Sequence, residues 1–335
     1  MSNPILSVKD LKTYFFLSSG TAKAVDGVSF DLHEGEILGI IGESGSGKSV
    51  MVKSTIRLLP ERVGRIVGGS VTFNGEDIIQ LDEAKLRELR GGDIAMIFQD
   101  PMTSLDPVFR VGDQMIETIR AHQNISRHEA RKVAVESMRS VLISEPEARM
   151  NAYPHELSGG MCQRIIIAMA LCSKSRIIIA DEPTTALDVT VQAQILKLLR
   201  DLRDKCGTSI LLITHNLGVI WEMCDNVIVM YAGKIVEKAD VKTLYREPLH
   251  PYTWGLLDSM PSMAIQVNKR LNAIEGTPPD LRLTGKCCNF SNRCPYAQSI
   301  CFDMVPRSLE IRPGHFVTCH LQTQDHTLCR GGGTK

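Results

Sequence analysis

Gly42-Glu43-Ser44-Gly45-Ser46-Gly47-Lys48-Ser49, preceded by Glu36-Ile37-Leu38-Gly39-Ile40-Ile41, is the stretch that decides the fold. The octapeptide fits G-x-x-x-x-G-K-[ST] at every position. The apolar run before it reads as a buried parallel strand, and Val50, Met51, Val52, Ile56 and Leu58 read as the helix that follows. Small residues between a strand and a helix let backbone N–H groups curl around phosphates, and the helix N-terminus adds positive potential. Gly42, Ser44, Gly45, Ser46 and Gly47 then form the cradle, Lys48 reaches the β- and γ-phosphates, and the Ser49 hydroxyl ligates Mg²⁺. A glycine-rich surface loop is the alternative, and the strand–loop–helix context argues against it.

Three more apolar runs end in polar groups. Arg176-Ile177-Ile178-Ile179-Ala180 leads into Asp181-Glu182. Carboxylates at the carboxyl end of a strand face the ligand crevice of an open α/β sheet. Asp181 there holds Mg²⁺ through its water shell, and Glu182 is placed to polarise an attacking water. The competing reading is that one of the two caps the next helix. Ile94-Ala95-Met96-Ile97-Phe98 ends at Gln99, a neutral amide able to touch Mg²⁺ or the lytic water. Ser209-Ile210-Leu211-Leu212-Ile213-Thr214 ends at His215, whose imidazole can donate to a γ-phosphate. Taken together these residues point to one shared nucleotide site, with Glu182, His215 and Gln99 as its catalytic groups.

Leu157-Ser158-Gly159-Gly160-Met161-Cys162-Gln163-Arg164 is a second glycine turn running into a helix. One nucleotide pocket needs only one such turn, so this one is suited to a nucleotide held by another subunit.

The order of these motifs resembles the ATP-binding-cassette family. The matching stretches are Gly42–Ser49 (Walker A), Gln99 (Q-loop), Leu157–Gln163 (signature), Ile177–Glu182 (Walker B), Ala186-Leu187-Asp188 (D-loop) and His215 (switch histidine). The resemblance implies an α/β P-loop NTPase cassette: a RecA-like core sheet, an N-terminal antiparallel β subdomain and an inserted α-helical subdomain. It further implies a head-to-tail pair of cassettes, in which Ser158 and Gly160 act in trans on the nucleotide gripped by Lys48. An N-terminal aromatic is expected to stack on adenine; Tyr14, Phe15 and Phe16 are the candidates and Tyr14 is preferred. Strand alternation puts Phe15 on the opposite face, in the core.

Lysines plus arginines equal aspartates plus glutamates at 38 each, so no bulk field favours nucleic acid or acidic lipid. The longest apolar runs, such as Ile165 to Cys172, fall short of a membrane span. Met1-Ser2-Asn3-Pro4-Ile5 lacks the basic and apolar regions of a signal peptide. The expected location is the cytoplasmic face of the membrane, reached through partners. The ATPase domain is expected over residues 1–245, with the helical subdomain at 105–165. Within it, Ser126-Arg127-His128-Glu129 has capping-box spacing, followed by Ala130, Ala134, Met138 and Val141 at helical intervals. In the family this subdomain receives the transmembrane subunits, with Thr103, Ser104, Leu105 and Asp106 as the relay; a solvated helical face is the plainer reading.

A tail, residues 246–335, opens at His250-Pro251-Tyr252-Thr253 and carries turn-forming prolines at 261, 278 and 279. It holds Cys287, Cys288, Cys294, Cys301 and Cys319 among the chain's 10 cysteines. Disulfides are improbable in a reducing compartment, and soft thiolates gathered in loops suit a metal. The intervals after Cys288 are five, six and seventeen residues, a poor zinc pattern and a better match to a [4Fe–4S] cluster. Loose thiols packing a small subdomain are the alternative. His-Pro-Tyr plus this cysteine run resembles the C-terminal extension of dipeptide/oligopeptide transporter ATPases, some of which carry such a cluster. That resemblance implies Cys288, Cys294, Cys301 and Cys319 as ligands, with Cys287 competing for the first place, and a structural role for the cluster. Cys162, Cys172, Cys206 and Cys224 are expected to pack as small apolar residues.

The function that follows is ATP hydrolysis energising uptake of di- and oligopeptides. The partners are a second cassette ATPase in a heterodimer, two transmembrane permeases and an extracytoplasmic substrate-binding protein. Nickel importers have similar ATPases and are the nearest alternative. A soluble cassette ATPase of translation or repair would need a second cassette or a long coiled coil, and neither is present in the sequence. An electron-transfer protein would leave the nucleotide motifs idle.

Overall fold

In the computed structural model, residues 3–60, 62–185, 187–259, 274–323, 328 and 330 are described. Ala186 of the D-loop and Pro261 lie outside them. The strands are β1 (Leu6–Leu17), β2 (Gly20–Leu32), β3 (Ile37–Ile41), β4 (Gly64–Phe73), β5 (Glu76–Asp77), β6 (Ile94–Ile97), β7 (Ile177–Asp181), β8 (Ser209–Ile213), β9 (Asn226–Tyr231), β10 (Lys234–Asp240), β11 (Ser308–Arg312) and β12 (His315–Thr318). The chain divides into two compact units: residues 1–32, 38–79 and 214–335 form one, residues 33–37 and 80–213 the other.

The first unit contains an antiparallel sheet in the order β2-β1-β4-β5 and the strand series β11-β12-β10-β9-β3. β9 runs parallel to β3, with Leu38 opposite Asn226 and Ile41 opposite Val229. All five residues of β3 are buried, as an unbroken apolar strand covered on both faces requires. Gly39 is small because the helix Leu217–Met223 crosses there: a Cβ would stand 2.7 Å from Ile220 Cδ1. The N-terminal sheet is more irregular. A register shift between Thr13 and Phe15 breaks the strict alternation expected of β1. Leu11 and Thr13 are buried in alternation, but Phe15 beyond the shift is half-buried rather than core, packed beside Gly64.

The described tail keeps one small cluster of its own, Leu249, Val317 and Cys319, and is otherwise seated on the strands before it. Its Phe290 enters the cluster of Ile41, Val227, Val229, Tyr231 and Tyr252. The Tyr231–Phe290 and Tyr252–Phe290 ring centroids are 5.1 and 5.4 Å apart, in edge geometry. Buried Glu237 of β10 fastens the start of the tail: its carboxylate accepts from Leu249 and His250 N–H at 2.7 and 2.9 Å and lies 2.8 Å from His315 Nε2. His250 N-caps the helix Pro251–Asp258, its Nδ1 accepting from Tyr252 N–H at 3.0 Å, with Pro251 in the first turn.

The second unit contains β6, β7 and β8, parallel and nearly wholly buried. Its helices include Val111–His122, Arg127–Ser140, Gly159–Cys172 and Val189–Cys206. Arg127–Ser140 carries the expected capping box at Ser126 and Glu129, with Ala130, Ala134 and Met138 buried and Val141 at its C-cap. Cys162 and Cys172 pack as small buried residues, Cys224 is half-buried, and Cys206, at the end of the helix Val189–Cys206, is exposed against expectation. Among the described residues no helix is long and apolar enough to cross a membrane.

Burial holds the His250 imidazole at a pKa of about 3, against its ordinary 6.5. The folded chain therefore favours neutral His250; this stability is whole above pH 6.5 and is lost as pH falls towards 3. Lowering pH from 6.5 to about 5 should cost the wild type about 2 kcal/mol in chemical denaturation. His250→Asn keeps a cap acceptor without the charge change and should flatten that slope; an equal loss in both proteins would refute the assignment.

Candidate active site

The phosphate loop in the first unit is built by close backbone packing. Gly42 and Gly47 have φ of 151° and 101°. A Cβ at Gly42 would meet Met230 O at 2.2 Å, and one at Gly47 would meet Ala24 O at 2.2 Å. Only glycine satisfies both the backbone angle and the contact. Lys48 begins the helix Lys48–Thr55 and donates to Gly42 O and Glu43 O, both at 2.8 Å, while Ser46 Oγ lies 3.4 Å away. The lysine thus holds the loop curled around its own ammonium. Ser46 is buried, Ser49 half-buried, and Ser44 and Gly45 are exposed at the rim. His215 is exposed just beyond the end of β8. Tyr14 donates its hydroxyl to Asp26 at 2.8 Å, and Lys23 Nζ stands 5.8 Å from its ring centroid. Burial and Asp26 push the Tyr14 hydroxyl up to about 12.

The second unit gathers the acidic groups. Asp181 ends β7 and is buried; Glu182 follows it with a left-handed backbone, φ 50°, pinned by its N–H donating to Ile213 O at 3.0 Å. That conformation is costly for a residue with a side chain and is found where surrounding structure over-determines it. Gln99 Nε2 donates to Glu182 Oε2 at 3.3 Å and Thr185 Oγ1 donates to the same oxygen at 3.0 Å. Neither carboxylate caps the following helix; Asp188 does, accepting from Val191 N–H at 3.0 Å. Gln163 Nε2 donates to Pro183 O at 3.1 Å, tying the second glycine turn's helix to the segment after Glu182. That contact was not legible in the sequence.

Ser158 is the N-cap of the 14-residue helix Gly159–Cys172, its hydroxyl accepting from Met161 N–H at 3.3 Å. Ser158 is exposed and Gly160 half-buried. Of the expected relay, Thr103, Ser104 and Asp106 are exposed, whereas Leu105 is buried and belongs to the core. Sequence reasoning missed the apolar surface beside it: Met102, Val108 and Phe109 are 51%, 70% and 57% exposed.

In the tail, Cys288 and Cys294 are half-buried and Cys301 and Cys319 buried. Burial pushes the Cys319 thiol up to about 12, and the nearby Cys288, Cys294 and Cys301 raise it further. Cys294 is pushed up to about 11, by burial first and then by Cys288 and Cys301. Cys287 acts on Cys288 and is not among the thiols that raise Cys319. Four soft donors in one short segment suit an iron–sulfur centre in chemistry. Among the described residues, however, no three His, Cys, Asp or Glu side chains are grouped so as to hold a metal ion.

A glycine phosphate loop, acidic strand ends and a capped anion turn define a P-loop ATPase of the cassette class. Residues 25–185 match the family described as ABC transporter, and residues 236–301 match the oligopeptide/dipeptide transporter C-terminal region. The chain is 51% identical over 322 residues to a probable peptide ABC transporter ATP-binding protein of Sinorhizobium fredii, covering 95% of this chain and 96% of that protein. It is 48% identical to the oligopeptide transport ATP-binding protein OppD of Bacillus subtilis, covering 96% of this chain and 90% of that one. The fold is similar to a dimeric post-hydrolysis state of the ATP-binding cassette MJ0796 bound to ADP and Pi, with a TM-score of 0.65 and 27% identity over 70% of this chain and 98% of that one. The chain belongs to the ATP-hydrolysing subunits of ABC transporters, in the branch that carries the oligopeptide/dipeptide C-terminal region. The soluble translation or repair ATPase is thereby set aside.

Glu182→Gln keeps the shape and the Gln99 neighbour while removing the carboxylate. Nucleotide affinity should stay within about threefold and turnover should fall by about a hundredfold or more. Turnover near the wild-type rate would assign the base elsewhere.

Proposed function

We propose that this chain energises uptake of di- and oligopeptides as the ATPase subunit of a membrane importer, working at the cytoplasmic face of the membrane. The C-terminal match carries the reading, supported by relatives named for oligopeptide and dipeptide transport, among them a Bacillus subtilis dipeptide transport protein 45% identical over 98% of each chain. Lys48 and the Gly42–Gly47 amides bind the phosphates, while Ser49 holds Mg²⁺ with Gln99 and, through water, Asp181. Glu182 orients and deprotonates the attacking water, and His215 donates to the γ-phosphate. Tyr14 stacks on adenine. The metal supplies charge neutralisation at the phosphates.

Ser158 and Gly160 act on the nucleotide of a second cassette subunit in a heterodimer. An exposed N-cap at the head of a long helix supports this, since it is an anion site whose own chain already has a phosphate loop. The other partners are two transmembrane permeases and an extracytoplasmic substrate-binding protein. Exposed Met102, Val108 and Phe109 fit the permease contact, an apolar patch in an otherwise polar stretch. Phe109→Asp should abolish recovery with an integral-membrane partner in a membrane-fraction pull-down while nucleotide affinity is unchanged. Recovery with ribosomes or DNA and no membrane partner would defeat the importer reading.

Cys288, Cys294, Cys301 and Cys319 hold a [4Fe–4S] cluster that staples the tail. Four soft donors in one small, loop-rich segment that gains from cross-linking support this reading. Anaerobic purification should give a brown protein with about four irons per chain. A colourless protein with stoichiometric zinc would overturn it.

A further inference from the structure

Arg293 belongs to the tail, yet its guanidinium lies on the phosphate loop. Its two terminal nitrogens donate in a fork to the Glu43 carboxylate, at 2.6 and 3.0 Å. The remaining N–H groups go to Tyr231 Oη at 3.2 Å, Glu275 O at 2.9 Å and Ile274 O at 3.3 Å. All five donors of a planar guanidinium are matched, a set that lysine cannot reproduce. The Arg293 side chain is 5% exposed and that of Glu43 26%. Arg293 ends the short 3-10 turn Ser291–Arg293, directly before Cys294.

Glu43 occupies a variable position of the loop, and every polar group it has is held. Its N–H donates to Tyr252 Oη at 2.8 Å, its carbonyl accepts from Lys48 Nζ at 2.8 Å, and its carboxylate takes Arg293. Two of these three partners, Tyr252 and Arg293, come from the tail. A carboxylate beside a polyphosphate repels it unless neutralised, and a mobile glutamate would also loosen the loop.

We infer that Arg293 is a positioning residue for ATP binding, acting through Glu43: the tail neutralises the loop's one carboxylate and fixes the backbone that Lys48 grips. The inference rests on nucleotide binding at Gly42–Ser49. It gives the tail a direct part in that site, apart from any metal its cysteines hold.

The test is Mg-ATP affinity of the full-length chain, read with a fluorescent ATP analogue, alongside thermal melting. Lys48→Ala serves as the control that locates the site: if it binds like the wild type, the site reading fails rather than the role of Arg293. Arg293→Gln should weaken affinity about tenfold by freeing the carboxylate. Arg293→Lys, which keeps the charge but not the fork, should fall in between and covers the case in which Arg293→Gln fails to fold. Adding Glu43→Gln to either should restore affinity to within about threefold of wild type, an outcome that a purely structural role in the tail does not produce. Wild-type affinity in both single variants, or double variants as weak as the singles, overturns the inference.

Discussion

The contact of bare backbone against bare backbone at the phosphate loop is the constraint on which the first unit depends. Gly42 lies against the carbonyl of Met230 in β9, and Gly47 against that of Ala24 in β2. Any side chain at either place would push the loop off the strands that shape it. Because the loop is seated this tightly, Lys48 can reach back to the carbonyls of Gly42 and Glu43 and keep the turn closed. The cradle is thus preformed by packing.

The second unit solves a different problem, that of keeping an acid poised without letting it wander. Glu182 is fixed through its backbone by Ile213 and through its carboxylate by Gln99 and Thr185. The strained φ of Glu182 is tolerated because Asp181 before it pairs with Ile213 of β8 and the carbonyl of Pro183 after it is held by Gln163. Gln163 extends the same logic, coupling the helix headed by Ser158 to the carbonyl of Pro183. The helix that Ser158 heads is therefore one hydrogen bond from the segment that follows Glu182.

The tail is stabilised by borrowing. Phe290 completes an aromatic cluster whose other members lie on β9 and the helix Pro251–Asp258, and Glu237 of β10 satisfies two of its backbone amides and faces His315. The His-Pro-Tyr element is structural in this setting: the histidine caps, the proline starts the helix, and the tyrosine reaches Glu43 N–H. The Cys294 and Cys319 thiols rise well above their ordinary range because the same burial that seats the tail leaves them desolvated.

What the sequence determined by itself was everything local in the chain. The phosphate loop, the unbroken apolar strands β3, β7 and β8, the capping box at Ser126 and the N-cap at Ser158 each follow from a few adjacent residues with fixed chemistry. What it could not determine was any partnership between distant positions. Alternation placed Phe15 in the core, but a register shift in β1 left it half-buried. Leu105 read as surface and is buried; Cys206 read as packed and is exposed. Arg293 and Glu43 are 250 residues apart, Glu43 fills a variable place in its motif and Arg293 belongs to none, so no spacing rule could pair them. Only the tertiary structure brings them together, because burying Phe290 against Tyr231 and Tyr252 carries the residue three places later onto the phosphate loop.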